Sequence, residues 1–357
     1  MEIINLTPNL YKQWDDFCLE SDEAWFLHTT YNLEYMTNYK PALRSESKSF
    51  MVKKDKNIIA VCPLVLEINE GIKEFSLGGD YGLIPALANF LTPKEQSKTQ
   101  KLIFDKIDKL AEENNIKRTL LRFPVLSKAA LETGKQRYNY LMKFGYLDNS
   151  LNTQVLDLSK SLDELRIEVR HGHDYDIDRA ARALKAEIFD QYNITEEVFE
   201  AYVNLHRLAA GRVTRPRITF DLMLKFIKKG NGFLVGVKKD EAFVGFSLFS
   251  LFKGNAYYGS SANNREVEKI IPISHFIQWS AIEWMKQKGC KFYETGWQKY
   301  GLTLSNFPDA KQINISKFQR GFGGFTAPLF RGEKYYDREY FLKIYEARIK
   351  IFGESIK

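Results

Sequence analysis

The sequence predicts a mixed α/β protein in which two halves of the same design follow one another and a helical segment joins them. The chain has 357 residues, of which 44% are hydrophobic and 27% are charged, as is typical of a globular protein. That length suits two domains, each large enough to bury a core. The order strand–strand–strand–helix–strand occurs twice along the chain, with little sequence identity between the copies.

The first copy occupies the N-terminal half. Alternating apolar residues predict two strands around a polar turn at Asp55, and a third strand that runs into a glycine-rich turn. An amphipathic helix with apolar residues at helical spacing follows, and a strand that ends at Pro124 completes the copy. The four segments are 47–68, 75–83, 93–115 and 116–124.

The second copy repeats this order near the C-terminus. Two strands surround a charged turn at 238–241, and a third strand leads into a polar turn. The helix has Pro272 near its first turn and Gly289 at its C-cap, which are the favoured places for these residues. The four segments are 233–252, 255–264, 271–289 and 290–297.

The rest of the chain is predicted to be helical. A long charged helix is expected at 161–191, a second at 194–211, and a last one at 334–352 with aromatic and aliphatic side chains on one face and basic ones on the other. These patterns predict an N-terminal domain at 1–158, a helical linker region at 159–230, and a C-terminal domain with the terminal helix at 231–357.

Charge and cysteine content exclude several classes of protein. The net charge of +7 indicates a basic surface, which attracts phosphates, nucleic acid or anionic lipid. The three cysteines form no C-x-x-C pair, which argues against a disulfide scaffold and a zinc site and for a reducing cytoplasm. The N-terminus lacks the basic start and apolar run of a signal peptide, and no stretch reaches 18 apolar residues. We therefore expect a cytoplasmic protein whose membrane contacts, if any, are peripheral and at the inner face.

Four motifs together resemble one family. They are LGGDYG at 77–82, LHRLAAGRVTRP at 205–216, YETGW at 293–297 and ISKFQRGFGG at 315–324, in which FQRGFGG is expected to follow a strand. In this order they resemble the Fem-type acyltransferases of the bacterial cell envelope. The resemblance implies two GNAT-like folds side by side, with an acceptor groove between them and an acyl donor bound mainly by the second. It also implies acyl transfer to an amine without a covalent enzyme intermediate.

The sequence departs from the family pattern in three places. Gln319 stands where the family often has a lysine. No long helical hairpin interrupts 231–330, which argues against aminoacyl-tRNA as the donor. The GNAT pyrophosphate signature is missing from the strand–helix turn at 261–272, which argues against acyl-CoA.

Acyl transfer to an amine needs a proton acceptor, oxyanion donors and close alignment of the reactants. His206 is the first candidate base and Glu294, at the end of a strand, is its rival. Asp80 is expected to bind a sugar hydroxyl or the amine. The remaining acceptor-side candidates are Gly79, Tyr81, Arg212 and Arg215, with the arginines on a phosphate. The alternatives left open are a tight turn around Asp80, a cationic helix end for the arginines, a packed histidine for His206 and a surface salt bridge for Glu294.

The donor-side candidates follow from the resemblance and from the helix predicted at 271–289. Tyr258 and Ser260 lie on the strand before that helix, and Ser274 lies in its first turn, where free N–H groups bind anions. The residues around the last glycine-rich motif complete the donor set: Lys317, Gln319, Arg320 and Gly323. Core packing and a bulged turn remain the alternatives.

Three functions fit these observations. The first is an N-acyltransferase that moves an acyl group from acyl-CoA, such as acetyl-CoA, to a nucleotide- or lipid-linked amino sugar in cell-surface glycan synthesis. The second is an aminoacyl-tRNA-dependent aminoacyltransferase of the peptidoglycan-bridge type, which the net charge favours. The third is a non-enzymatic protein that docks on a membrane through 334–352. Neither a metal nor DNA is expected as a partner.

Overall fold

The computed structural model describes residues 1–134 and 136–356 and confirms the mixed α/β class. Its strands, in chain order, are β1 Glu2–Asn5, β2 Arg44–Ser47, β3 Phe50–Lys54, β4 Asn57–Cys62, β5 Val65–Asn69, β6 Ile72–Phe75, β7 Gly82–Leu83, β8 Ala86–Leu87, β9 Arg118–Arg122, β10 Leu147–Asp148, β11 Leu151–Asp157, β12 Lys185–Phe189, β13 Gly232–Lys239, β14 Ala242–Phe252, β15 Asn255–Asn263, β16 Phe292–Gln298, β17 Phe325–Leu329 and β18 Arg331–Tyr335.

The α-helices complete the inventory of elements. In chain order they are α1 Tyr11–Glu20, α2 Thr30–Thr37, α3 Pro93–Asn114, α4 Lys128–Leu131, α5 Leu162–Glu168, α6 His171–Ala181, α7 Glu196–Ala210, α8 Arg217–Lys228, α9 Arg265–Ile270, α10 Ile273–Gln287, α11 Ala310–Arg320 and α12 Arg338–Gly353. None of the helices within the described residues is both long and apolar enough to cross a membrane.

The chain divides into two compact units, which we call unit 1 and unit 2. Unit 1 contains Met1–Asn152, Gln298–Ile313 and the chain from Pro328 onward. Unit 2 contains Thr153–Trp297 and Asn314–Ala327. Both units therefore draw on segments that are far apart in the sequence.

Unit 1 is built on two sheets, with strand orders β1-β3-β4-β8 and β10-β18-β9-β6-β5-β2. The β3–β4 hairpin turns at Asp55, whose φ of 56° places it in the left-handed region that a tight hairpin turn requires. Helix α3 begins at a capping box formed by Thr92 and Glu95 and returns the chain to β9. Because this connection is a helical crossover, β9 lies parallel to β6.

Unit 2 has one seven-stranded sheet with the order β12-β13-β14-β15-β16-β11-β17. Strands β12 to β15 pair antiparallel, and α10 then carries the chain across to β16, which lies parallel to β15. The core under α10 includes Phe233, Phe249 and Tyr293, all fully buried. The chain order of three strands, a helix and a fourth strand, from β13 to β16, is the one predicted for the second copy of the pattern.

The predicted helix at 161–191 is wrong in two respects. It is broken between α5 and α6, where Val169 adopts an extended conformation. Its last part is strand β12, which pairs with β13 through partners such as Ile188 and Val235. The alternation Ala186, Ile188 marks this strand, but the charged residues around it hide the signal in a helical context.

The two units also differ from the predicted boundaries. Helices α5 to α8, placed in a linker at 159–230, belong to unit 2, and α7 packs on β14 and β15. The C-terminal segment returns to unit 1 because β18 pairs antiparallel with β9, from Arg331 opposite Arg122 to Tyr335 opposite Arg118. Strand β11 joins the sheet of unit 2 beside β16. These exchanges depend on pairing between distant segments, which no local pattern reveals.

Candidate functional site

The parallel pair β15–β16 in unit 2 separates part-way along its length. The two strands pair only from Asn255 opposite Phe292 to Tyr257 opposite Glu294, although β15 continues to Asn263. We call the segments beyond the last pair, 258–263 of β15 and 295–297 of β16, the fork. Backbone groups on diverging strand edges are not satisfied by the partner strand, so a fork is suited to hold an extended ligand.

The equivalent pair in unit 1 does not separate in this way. There β6 pairs with β9 at Glu74 opposite Arg118 and Phe75 opposite Thr119. After the turn at 76–81, β7 resumes the parallel pairing at Gly82 opposite Leu121. The short strand β7 therefore closes in unit 1 the opening that unit 2 retains.

Glu294 lies at the vertex of the fork, in the last β15–β16 pair. Its side chain is only 5% exposed, and one carboxylate oxygen accepts a hydrogen bond of 2.7 Å from the Thr153 hydroxyl on β11. A buried carboxylate needs such donors to remain in place. The structure thus buries Glu294 at the vertex and holds one of its carboxylate oxygens through β11.

The β15 side of the fork carries a bulge at Gly259. Leu248 of β14 lies opposite Ser260 and Phe249 lies opposite Tyr258, so Gly259 is the extra residue. The Ser260 hydroxyl accepts a 3.1 Å hydrogen bond from the Tyr202 hydroxyl on α7. The bulge bends β15 at the point where it leaves β16, and α7 holds the bent strand.

The Tyr258 hydroxyl lies among polar side chains inside unit 2. Burial raises the pKa of its phenol, while hydrogen bonds with Ser261, Ser247 and Gln278 oppose that rise. The phenol is therefore neutral at physiological pH, and it can donate a proton to a hydrogen bond without losing it. Of the predicted donor residues, Tyr258 and Ser260 both lie on the fork.

His206 is packed rather than poised as a base. Its ring is 8% exposed and lies edge-on to Phe220 at 5.4 Å. Burial, together with the charge of Arg215, lowers its pKa to about 4. The Arg215 guanidinium lies 3.2 Å from Nε2 and can only donate, so Nε2 is the unprotonated acceptor and Nδ1–H faces the Thr214 hydroxyl at 3.4 Å. The lone pair that a general base would use thus faces Arg215, as expected for the packed histidine that the sequence left open as the alternative.

The two predicted phosphate-binding arginines occupy different environments. Arg215 is half-buried against His206 and the Phe220 ring, with its guanidinium carbon 5.5 Å from the ring centroid. Arg212 is exposed in the loop that follows Gly211, the left-handed C-cap of α7. The structure therefore keeps Arg212 accessible to a phosphate and gives Arg215 a structural contact.

The N-terminus of α10 is occupied by a side chain of the protein itself. Both carboxylate oxygens of Glu268, on α9, lie 3.2 Å from the Ser274 backbone nitrogen, which donates to them. The Asn263 amide donates to Glu268 at 2.8 Å and to the Ser274 hydroxyl at 2.8 Å. Burial raises the pKa of Glu268. The predicted donor residue Ser274 thus contacts an acidic side chain of unit 2.

We predicted that the motif at 315–324 follows a strand. In the structure it begins on helix α11 instead. Lys317 is exposed on α11, Arg320 is half-buried at its end, and Gln319 is buried with its amide against Gly296. The glycines that follow pack closely on the protein: a Cβ on Gly323 would meet the Glu168 Cβ at 2.6 Å, and the Gly323 carbonyl accepts from Gln154 at 2.6 Å. Gly323 therefore serves chain packing, and the motif joins α11 to the YETGW strand.

The glycine-rich turn of unit 1 is tied to a buried acid. The Glu67 carboxylate accepts hydrogen bonds from the backbone N–H groups of Gly78 at 2.7 Å and Gly79 at 2.8 Å. Asp80 accepts from the Tyr81 backbone N–H at 2.8 Å. The N–H groups of the two glycines thus donate to a side chain of unit 1. The sequence had predicted that N–H groups of this turn face a ligand.

Tyr81 belongs to a buried cluster in unit 1. Its hydroxyl pairs with the Asn149 amide, and the Arg331 guanidinium carbon lies 4.5 Å from its ring centroid. Arg331 in turn donates to the Asn149 carbonyl at 2.6 Å. Burial raises the pKa of Tyr81 and lowers that of Arg331. This cluster fixes the end of the glycine-rich turn through the C-terminal strand β18.

Comparison with solved structures shows the fold to which this geometry belongs. The structure titled FemX is 13% identical with a TM-score of 0.67, covering 97% of this chain and 100% of that one. The structure of L-PGS from Bacillus licheniformis is 11% identical with a TM-score of 0.59, covering 97% of each chain. A tandem GNAT protein from the clavulanic acid biosynthesis pathway is 14% identical with a TM-score of 0.52, covering 94% of this chain and 98% of that one.

The chain has the duplicated GNAT fold of the Fem type. The family resemblance drawn from the sequence motifs is confirmed at the level of the fold. No family model matches the sequence, and the comparison with curated proteins found no match.

Within this Fem-type fold, unit 2 brings together most of the predicted site residues. Gly79, Asp80 and Tyr81 lie in unit 1, and the others lie in unit 2. Sequence reasoning missed Thr153, Tyr202 and Glu268, which contact predicted residues. Glu268 carried one usable signal, because Asn264 before it is a strong N-cap residue that predicts an extra helical turn inside 261–272.

Proposed function

We propose that this chain is an acyltransferase that moves an activated acyl group to an amine, with the acyl group held at the fork of unit 2. The observation that supports the proposal is the end of the β15–β16 pairing at Tyr257 and Glu294, where unit 1 instead continues its pairing through β7. An opening between two parallel strands is suited to hold an extended acyl donor, and hydrogen-bond donors aimed at the acyl oxygen there would stabilise a tetrahedral oxyanion.

In the proposed reaction the amine nitrogen attacks the carbonyl carbon of the donor. A bond forms between nitrogen and carbon, and the bond from carbon to the donor's sulfur or oxygen breaks. Glu294 takes the proton that the amine loses, directly or through a water, and the departing thiolate or alkoxide receives a proton in return. Thr153, on β11 at the other edge of β16, holds one oxygen of the Glu294 carboxylate. His206 is a positioning residue for Arg215, since its acceptor nitrogen faces that guanidinium.

The proposed acceptor is a nucleotide- or lipid-linked amino sugar of the cell envelope. Arg212 is exposed, and a guanidinium can bind phosphate oxygens through two parallel N–H groups, so it is suited to contact the phosphate of such an acceptor.

Two donors are proposed. Acyl-CoA is supported by the likeness to the tandem GNAT protein, a structure described as that without AcCoA. An aminoacyl-tRNA is supported by the net charge of +7 and by the likeness to a putative lysylphosphatidylglycerol synthetase from Agrobacterium fabrum, a name that implies transfer of an amino acid. That structure has a TM-score of 0.58 at 11% identity and covers 96% of each chain.

Binding to a membrane through the terminal helix is less well supported. The exposed charged side chains in and just after α12 balance each other: Arg338, Lys343 and Lys350 against Glu339, Glu346 and Glu354. This face therefore lacks the excess of positive charge that draws a helix to anionic lipid.

The test is a transfer assay with the purified chain. Radiolabelled acetyl-CoA and a mixture of radiolabelled aminoacyl-tRNAs are each offered with nucleotide-linked and lipid-linked amino sugars. We expect labelled product with one donor class, and a loss of about 10²–10⁴-fold in kcat for Glu294→Gln if Glu294 is the base. Absence of transfer from every donor to every acceptor would contradict the proposed function.

A further inference from the structure

The N-terminus of α10 is the place in unit 2 where free backbone N–H groups and the helix dipole would attract a phosphate. Pro272 is the N-cap and has no N–H group, so three N–H groups precede the first intrahelical bond, which the Phe276 nitrogen donates to the Pro272 carbonyl at 3.4 Å. Two of these three are already engaged. The Ile273 nitrogen donates to the Ile271 carbonyl at 2.8 Å. The Ser274 nitrogen donates to the Glu268 carboxylate.

Glu268 is built into this position. It lies on α9, a helix of six residues that begins at Asn264, whose side chain accepts hydrogen bonds from the Glu266 and Val267 nitrogens. The Asn263 amide then joins Glu268 to the Ser274 hydroxyl. Helix α9 thus stands in the strand–helix turn and carries an acidic side chain to the end of α10.

We propose that Glu268 is a specificity-determining residue that excludes diphosphate-bearing acyl carriers from unit 2, by placing the protein's own anion where the carrier's diphosphate would bind. This inference rests on the proposed acyl transfer and concerns the choice of donor. A coenzyme A diphosphate brought to the α10 N-terminus would meet a carboxylate of like charge and would find the Ser274 N–H group occupied. Of the two proposed donors, a carrier that presents no diphosphate at this point, such as an aminoacyl-tRNA, is the one that the arrangement admits.

The exclusion acts through charge and through occupancy, which two variants separate. Glu268→Gln removes the charge and keeps a side chain of the same size. Glu268→Ala removes both and opens the end of α10. Glu266→Gln and Glu266→Ala are the matched controls, because Glu266 is an exposed acid on the same helix and pairs with Lys269.

The experiment is calorimetric titration of the full chain with coenzyme A and, separately, with inorganic pyrophosphate. We expect no saturable binding to the unaltered chain or to the Glu266 variants up to millimolar ligand. For Glu268→Ala we expect binding of both ligands at least about tenfold tighter, as a helix N-terminus and the removal of a like charge allow, and a smaller gain for Glu268→Gln.

Saturable binding of coenzyme A to the unaltered chain would overturn the inference, and so would Glu268 variants that bind no better than their Glu266 counterparts. Should Glu268→Ala fail to fold, Glu268→Gln decides alone. The titration involves no acyl transfer. A gain in binding without any transfer activity would therefore leave the role of Glu268 standing while the proposed function fails, and the reverse pattern would reject only the role of Glu268.

Discussion

Glu333 offers a stringent test of how the C-terminal segment is attached to unit 1. Its carboxylate is fully buried on β18, and Arg348 of α12 contacts both oxygens, at 2.5 Å and 2.9 Å. Tyr345 donates to it at 3.0 Å, and Arg118 lies at 3.4 Å. Burial alone would raise the pKa of Glu333, but the hydrogen bonds and charge of Arg348 outweigh burial and the net pKa lies below the usual range.

Replacing Arg348 by alanine leaves this carboxylate buried with only part of its compensation. Breaking one side of a buried ion pair costs about 3–5 kcal/mol, and because Arg118 stays nearby we expect a loss of about 3 kcal/mol in the free energy of unfolding. Since the Glu333 pKa is depressed in the folded protein, the pair stabilises above the unfolded pKa and this stability is lost as the pH falls. The effect of Arg348→Ala should therefore shrink in acid.

Native-state hydrogen exchange of peptides from β18 and α12 measures this loss locally, without interference from unit 2. Arg338→Ala is the control, because Arg338 is an exposed arginine at the start of the same helix, and its effect should stay within about 0.5 kcal/mol. A loss of less than about 1 kcal/mol for Arg348→Ala at neutral pH would refute the reasoning, since a buried carboxylate that loses its main ion-pair partner should cost more than that.

Three further predictions concern unit 2. Gly324→Ala should destabilise the chain by about 2 kcal/mol more than Gly254→Ala in urea unfolding. Both glycines have a positive φ, so backbone strain is common to the two variants. They differ in space, because a Cβ on Gly324 would lie 2.2 Å from the Val155 carbonyl oxygen, whereas a Cβ on Gly254 would meet nothing within 4 Å. Equal effects would show that the contact relaxes freely. Burial and Arg215 lower the His206 pKa to about 4, so protonation of His206 favours the unfolded chain. The stability that His206 contributes above its unfolded pKa is therefore lost as the pH falls from about 6.5 to 4. His206→Gln should flatten that part of the pH–stability curve, and an unchanged slope would contradict this prediction. Burial raises the Glu268 pKa, so ionised Glu268 destabilises the folded chain once the pH rises above its unfolded pKa. Thermal unfolding of Glu268→Gln should therefore show a gain in stability over the unaltered chain that grows as the pH rises from acid to neutral. A gain that does not depend on pH would count against this prediction.

Local patterns in the sequence were sufficient for much of the fold. The alternation on either side of Asp55 and the helical spacing of apolar residues at 93–115 predict elements that the structure shows, because each depends on neighbouring residues alone. The exchange of β11 and β18 between the two halves could not be predicted in this way. Each of these strands finds its partner far along the chain, so its place is decided by tertiary packing.

The site shows the same division. Tyr258, Ser260 and Glu294 lie on β15 and β16, two strands that the second copy of the pattern predicts, while the roles assigned to them stay predictions. His206 was assigned as a base from residue type, but the Arg215 contact that lowers its pKa forms only when α7 and the following loop fold together. The role of Glu268 depends on a side chain that reaches the next helix, which sequence spacing does not specify.

The central claim is that the acyl group reacts at the fork of unit 2 beside Glu294. The most direct test compares single-turnover acyl transfer by the variants Glu294→Gln and Glu187→Gln. Glu187 lies on β12, the edge strand of the same sheet, and pairs with Lys238. We predict a rate loss of about 10²-fold or more for Glu294→Gln with donor affinity retained, and no loss for Glu187→Gln. Equal rates in the two variants would contradict the claim.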